Sequence, residues 1–244
     1  QGMVLGEDSE KMSKSRGNVI APDKLVNAYG ADTVRAYLMF FSRWDMGGPW
    51  NSSGIDGSSR WIRRIWAMIL EKEGKPGSAD EETIRSLRRK THQTLKSVTR
   101  DFEELQFNTI VSALMELLNE MGKAKQAGAQ GTPAWTETVE LYLKMLAPIA
   151  PHMAEELWER IGKRYSIHTQ AWPEVDEEAA MEDALVLPVQ VNGKLRDRIN
   201  VAHDTPEDEI KKIALANENV QKHLEGRTPK KVIYVRDRLV NIVI

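Results

Sequence analysis

Two lysines stand three residues apart in the run Lys11-Met12-Ser13-Lys14-Ser15, with Glu10 before it and Arg16-Gly17-Asn18 after it. Ser and Gly favour a loop here, with no rigid element of its own. Such a loop can close over a polyphosphate. It then sets two ammonium groups on the phosphate oxygens as charge builds on a departing pyrophosphate. The ordinary fate of a Lys/Ser/Gly run is a solvated basic turn. This five-residue string, however, arises by chance in only on the order of one chain in ten thousand of this size. Gly17 and Asn18 are read as shaping the exit of the loop.

Two further sets of cations have a regular spacing. Lys194, Arg196 and Arg198 alternate along one segment, and Lys230 and Lys231 lie further on. On a strand, that spacing gives a row with steps of roughly 7 Å, comparable to the phosphates of one nucleic-acid strand. A charged solvent face or a protected sheet edge would look the same. Arg85, Arg88 and Arg89, with Lys90, fall in a helical segment and are either a solvated face or an RNA-docking face. Trp44 and Trp50 flank a Gly-rich loop, where they anchor the core or stack on bases.

The net charge is only −2, so nucleic-acid binding would depend on local basic patches. There are no cysteines, which excludes disulfides and thiolate zinc sites and fits a reducing cytosol. The five histidines, at 92, 152, 168, 203 and 223, have no ligand spacing, and no metal site is expected. No Ser/His/Asp set or paired-carboxylate site stands out. No apolar run approaches membrane-spanning length, and no membrane partner is expected.

The elements that must position these groups are mainly helical. Gly2 to Leu5 reads as a short strand entering the loop. Pro22 opens a helix that turns at Tyr29-Gly30, and Val34, Tyr37, Leu38 and Phe41 recur at helical spacing. Residues 43–59 read as a loop. The next helix buries Trp61, Ile62, Ile65, Trp66 and Ile69, with Arg60, Arg63 and Arg64 largely elsewhere on it. Residues 73–80 are a Gly/Pro-rich linker. Ile84 to Leu105 steps by three or four as one long amphipathic helix, and Phe107 to Lys125 gives another. Two shorter helices, about 134–147 and 152–161, are separated by Pro148 and Pro151. These helices form an antiparallel bundle.

After Leu185 the period changes to two. A two-residue Asn192-Gly193 loop would mix the faces of the hairpin. A three-residue loop, pairing Val189 with Leu195 and Leu185 with Ile199, keeps one face apolar and is the expected register. It turns Leu195 and Ile199 inward and Lys194, Arg196 and Arg198 outward. Thr205-Pro206 then caps one helix with Ile210, Ile213, Ala214 and Val220 inward. Residues 231–235 and 239–244 close a small α+β domain. The expected division is 1–59, the loop and a helical stem region; 60–184, the bundle; and 185–244, the α+β domain.

The signature pentapeptide, followed by Asn18-Val19-Ile20-Ala21-Pro22 and Tyr29-Gly30-Ala31-Asp32-Thr33-Val34-Arg35, resembles the loop of class I aminoacyl-tRNA synthetases of the leucine, isoleucine, valine and methionine subgroup. Phe107-Asn108-Thr109, Ala147-Pro148-Ile149-Ala150-Pro151-His152 and Glu155-Glu156-Leu157-Trp158 resemble that subgroup's anticodon-binding domain. Val189 to Arg196 and Lys231 to Val235 resemble the small C-terminal domain of its bacterial leucine-specific members. The family's His-x-Gly-His signature is absent.

The resemblance implies the C-terminal portion of a cytoplasmic leucine–tRNA ligase whose leucine pocket and most of whose ATP site lie upstream. ATP with Mg2+ would be the cofactor, and tRNA(Leu), ATP and leucine the partners. Lys11, Met12, Ser13, Lys14 and Ser15 would form the ATP-binding loop, with Lys11 and Lys14 on the phosphates and Lys14 the stronger candidate for stabilising the transition state. The three C-terminal cations would touch the tRNA's outer corner, with Lys230 and Lys231 extending that patch. This portion would be inactive alone. A valyl or isoleucyl enzyme, or a non-catalytic tRNA-binding module, are the alternatives.

Overall fold

The computed structural model describes residues 2–72, 76–181, 184–202, 205–224, 226–236 and 238–244. Part of the expected linker (73–75) lies outside them, as do the side chain of Leu185 and residue His203. The elements run β1 (Met3–Leu5), α1 (Pro22–Tyr29), α2 (Ala31–Phe40), β2 (Gly47–Pro49), α3 (Ile55–Leu70), α4 (Glu81–Glu103), α5 (Phe107–Gln126), α6 (Pro133–Leu146), α7 (Pro151–Arg160), α8 (Glu177–Ala180), β3 (Ala184–Val191), β4 (Lys194–Ala202), α9 (Glu207–Ala216), α10 (Glu218–Leu224), β5 (Lys231–Val235) and β6 (Leu239–Val243). The fold is mainly α, as the periodicity requires. Residues 1–180 and 181–244 form two compact units.

In the first unit the helices start and stop where chain chemistry allows. Asp80 caps α4 by accepting the Thr83 N–H at 2.8 Å, and Glu81 and Glu82 occupy its positive first turn. Thr132 caps α6, with Pro133 as its first residue. The core is continuous from α3 to α7: Ile65, Leu95, Val98, Leu114, Leu117, Leu118, Leu143 and Leu146 have no exposed surface. Truncating any of these to Ala would cost about 2–5 kcal/mol.

The expected loop over residues 43–59 is in fact partly structured. Gly47–Pro49 pairs in parallel with Met3–Leu5, and α3 begins at Ile55. Asn51 accepts the Ser53 N–H and hydroxyl, making a local turn that feeds α3, while Ser58 and Ser59 face inward. A polar Ser/Gly string weighs against helix by propensity, and tertiary burial overrides it.

In the second unit the sheet order is β4-β3-β6-β5, with β3 and β6 parallel at its centre. Helices α9 and α10 supply Ile210, Ala214, Val220 and Leu224 to a core with Leu187, Val189, Val191, Ile199, Val201, Val240 and Ile242. The single helix expected here breaks at Asn217, whose backbone is extended and whose Oδ1 accepts the Asn219 and Val220 N–H groups. At its start Pro206 is the cap residue, and no side chain caps it.

The expected hairpin register is not the one formed. Val191 pairs with Lys194 across a two-residue Asn192-Gly193 turn, both residues at positive φ (48° and 77°). That is the turn whose twist matches twisted strands. Mixing of the faces is avoided by a bulge at Arg196, which lets Gln190 pair with Leu195 yet Val189 with Asp197 and Leu187 with Ile199. Ile199 is therefore inward as expected, but Leu195 is 49% exposed.

Candidate functional site

The signature loop is a pinned turn with free cations. Leu5 bridges to Lys11, and the Gly6 N–H donates to the Glu10 carbonyl at 2.8 Å, closing a turn at its root. Asn18 holds both sides of the loop. Its Oδ1 accepts the Ser13 N–H at 2.9 Å, and its Nδ2 donates to the Asp8 carboxylate at 3.1 Å. Residues Lys14–Arg16 form one 3-10 turn, capped by the Ser13 hydroxyl and ended by Gly17 at φ 70°, a conformation that favours glycine. The Ser13 and Ser15 hydroxyls lie 3.2 Å apart. Met12 packs on the buried cluster of Val34, Tyr37, Trp50 and Ile55.

Lys11 and Lys14 are exposed, and neither has a carboxylate partner among the described residues, whereas Arg16 pairs with Glu10 at 2.9 Å. Glu7, at the root of the loop, accepts the Ser52 N–H at 3.0 Å. Hydrogen bonding from Ser52, side chain first and backbone second, holds the Glu7 carboxyl below its usual range. The arrangement offers two unneutralised ammonium groups on a turn fixed at both ends, which suits an anionic ligand.

Helix α2 carries this loop to the bundle. Asp32 Oδ1 meets His152 Nδ1 at 2.8 Å, and Oδ2 accepts the Met153 N–H at 2.7 Å. Ala150, the cap residue of α7, has no hydrogen-bonding side chain to offer, so Asp32 caps that helix from outside. One turn on, Arg35 donates to the carbonyls of Pro148 and Ile149 at 3.0 and 3.3 Å. An anion thus faces the N-terminal end of α7, and a cation faces the carbonyls that follow α6.

The other sequence strings also serve joints. Thr109 Oγ1 donates to Asp101 at 2.5 Å, and Phe107 packs on Trp44 with centroids 4.7 Å apart. Glu155 binds Ser166 and the Ile167 N–H, while Trp158 Nε1 donates to the Arg164 carbonyl. Trp50 is buried against Tyr37.

The basic groups are more dispersed than their spacing suggests. Arg88 is bound to Glu137 at 2.8 Å and to Asp176 at 2.7 Å, so it stitches α4 to α6 and to the segment before α8. His92 lies in the same network: its Nδ1 accepts the Asp176 N–H, which leaves the proton on Nε2 facing Glu137. Burial raises the Glu137 carboxyl, but hydrogen bonds from Arg88 and His92 outweigh it and leave it lowered. Arg85 is exposed, whereas Arg89 is half-buried.

The row of three C-terminal cations does not exist. Lys194 shares the face of its partner Val191, Arg196 sits half-buried at the bulge, and Arg198 shares the opposite face with Pro188. Lys230 and Lys231 are exposed at β5, on the far edge of the sheet from β4. No group of three or more His, Asp or Glu among the described residues is placed to hold a metal.

Residues 85–213 match the family described as the anticodon-binding domain of tRNA ligase, and residues 1–46 match the class I tRNA synthetases for I, L, M and V. The leucine–tRNA ligase of Deinococcus radiodurans is 50% identical over the whole chain, which covers 29% of that protein; that of Dehalococcoides mccartyi is 50% identical, with 30% covered. The chain thus spans about 30% of the length of the curated relatives it matches.

Among solved structures, the Agrobacterium radiobacter K84 LeuRS-tRNA-LeuAMS ternary complex superposes with TM-score 0.86 at 31% identity, over 100% of this chain and 33% of that one. The methionyl-tRNA synthetase of Mycobacterium tuberculosis, TM-score 0.54 at 18% identity over 67% of this chain and 38% of its own, shares the fold. With an N-terminal class I synthetase segment leading into helices that carry the family pattern over more than half its length, the chain belongs to the anticodon-binding family of tRNA ligases.

Proposed function

We propose that the chain is the signature-loop and tRNA-docking part of a leucine–tRNA ligase. That enzyme activates leucine with ATP, releases pyrophosphate and transfers leucine to tRNA(Leu) in the cytoplasm. The observation that carries this reading is the superposition of the whole chain on a LeuRS bound to tRNA and an adenylate analogue. In this reading residues 1–59 serve the nucleotide, and residues 60–184 and 185–244 dock tRNA. Lys11 and Lys14 meet the ATP phosphates on the turn that Asn18 and Met12 hold in place, and Lys14 gains its full charge partner as pyrophosphate leaves. Met12, Ser13 and Ser15 shape that turn. No group of three or more His, Asp or Glu among the described residues is placed to hold magnesium, so in this proposal a metal would arrive on the nucleotide's own phosphates. Arg85 and Arg89 on α4, and Lys194, Arg196, Arg198, Lys230 and Lys231 in the second unit, are individual tRNA contacts in this proposal; Arg88 holds its site through its ion pairs.

The test is a graft of this chain onto the upstream part of the Deinococcus radiodurans enzyme. Leucine-dependent ATP–pyrophosphate exchange should follow. Lys14→Ala should lower its turnover by on the order of 10²-fold with little change in the Michaelis constant for ATP. A raised Michaelis constant with unchanged turnover would contradict the assigned role.

A further inference from the structure

Helix α3 carries three arginines and one carboxylate, Asp56 in its first turn, which accepts a hydrogen bond from the Tyr29 hydroxyl at 2.9 Å. Its core face is Ile55, Trp61, Ile62 and Ile65. Arg60, Arg63 and Arg64 are all exposed. Arg60 and Arg63 are one helical turn apart, with Cβ atoms roughly 5–6 Å from each other. Neither has an ion-pair partner among the described residues. Elsewhere in the bundle many cations are neutralised: Lys90 by Glu116, Lys96 by Glu177, Lys123 by Glu120, Arg160 by Glu156 and Lys163 by Glu140. Arg64 spends one N–H on Asn119 at 2.7 Å and keeps its remaining donors. The aromatic side chain on the flank of this face, Trp66, is covered by the Arg160 guanidinium 4.9 Å from its ring.

Three guanidinium groups, two of them in no ion pair among the described residues and the one acid of the helix engaged by Tyr29, beside an aromatic ring that is already occupied, suit phosphate and not stacked bases or an apolar protein partner. We infer that Arg60 and Arg63, assisted by Arg64, form a contact for the sugar-phosphate backbone of the tRNA, a site separate from the α4 and C-terminal cations. The inference rests on the tRNA-docking reading above. Each guanidinium can take a phosphate by two parallel N–H···O bonds. The contact is independent of base sequence.

The test compares three forms of this chain for tRNA(Leu) binding across a salt series: the parent, Arg60→Gln/Arg63→Gln, and Lys96→Gln/Lys123→Gln. The last has the same net charge as the arginine variant but loses cations that already face carboxylates. Circular dichroism and thermal unfolding establish that all three fold. The arginine variant should bind at least about fivefold more weakly at low salt. Its log–log salt slope should be shallower by roughly 1.5–2 units, the release expected for two phosphates. The lysine variant should match the parent. Equal weakening by both variants would reduce the effect to net charge and overturn the inference. Unchanged binding by the arginine variant would overturn it too, and would fit a face that seats another part of a longer protein. No tRNA binding by the parent chain would instead overturn the docking reading itself.

Discussion

Asp32 on α2 and His152 on α7 are joined by a 2.8 Å hydrogen bond across 120 residues of chain. The second carboxylate oxygen of Asp32 caps α7, and Arg35 holds the preceding turn, so α2, the second helix after the signature loop, is tied to the bundle by charges of both signs.

Replacing Asp32 by Ala leaves the Met153 N–H, at the part-buried start of α7, without its acceptor. The loss should be about 0.5–2 kcal/mol in urea or thermal unfolding of the first unit. Asp32→Asn, which keeps one acceptor oxygen, should lose less. Equal stability of Asp32→Ala and the parent would show that α7 needs no external cap.

Asn18→Ala removes the two-sided pin of the signature loop while touching no core residue. The Ser13 amide should exchange with solvent faster, and the global unfolding temperature should stay nearly unchanged. An unaltered exchange rate at Ser13 would mean that Met12 packing alone fixes the turn.

The hairpin register has a direct test in paired variants. Leu195→Lys, on an exposed position, should change stability by no more than about 0.5 kcal/mol. Ile199→Ala, in the core, should cost about 2–4 kcal/mol. A three-residue turn with Leu195 inward would make both costly.

Acid stability should depend on the Arg88 network. Glu137 and Asp176 both have lowered carboxyl pKa values in the folded chain: Glu137 because hydrogen bonds from Arg88 and His92 overcome the raising effect of its burial, and Asp176 through the Ala179 N–H first and Arg88 second. Their contribution is complete above the unfolded carboxylate value, about 4, and is lost as pH falls through the lower folded values. Arg88→Met should therefore flatten the fall of stability with acid between about pH 5 and 2. An unchanged acid profile would place the pH dependence elsewhere.

Much of this architecture is legible in the residues. The periodic runs at 84–105 and 107–125 and the prolines at 133 and 151 mark helices where they form. The loop string is legible because its composition is improbable. Pairings between distant segments were not: Arg88 reads as a free cation until Glu137 and Asp176 approach from 49 and 88 residues away. The bulge at Arg196 was hidden for a different reason. A one-residue insertion reverses every face beyond it, and alternation alone cannot separate it from a longer turn. The α3 arginines are visible as cations, but that Arg60 and Arg63 have no ion-pair partner among the described residues emerges only from the packed structure.

The measurement that bears most directly on the account is aminoacylation by the graft of this chain onto the upstream part of the Deinococcus radiodurans ligase. The account predicts leucine on tRNA(Leu) at a rate within about tenfold of the host enzyme, because the loop and the docking surfaces would both come from this chain. A graft that folds and binds ATP and leucine, yet neither forms leucyl-adenylate nor charges tRNA(Leu), would contradict it.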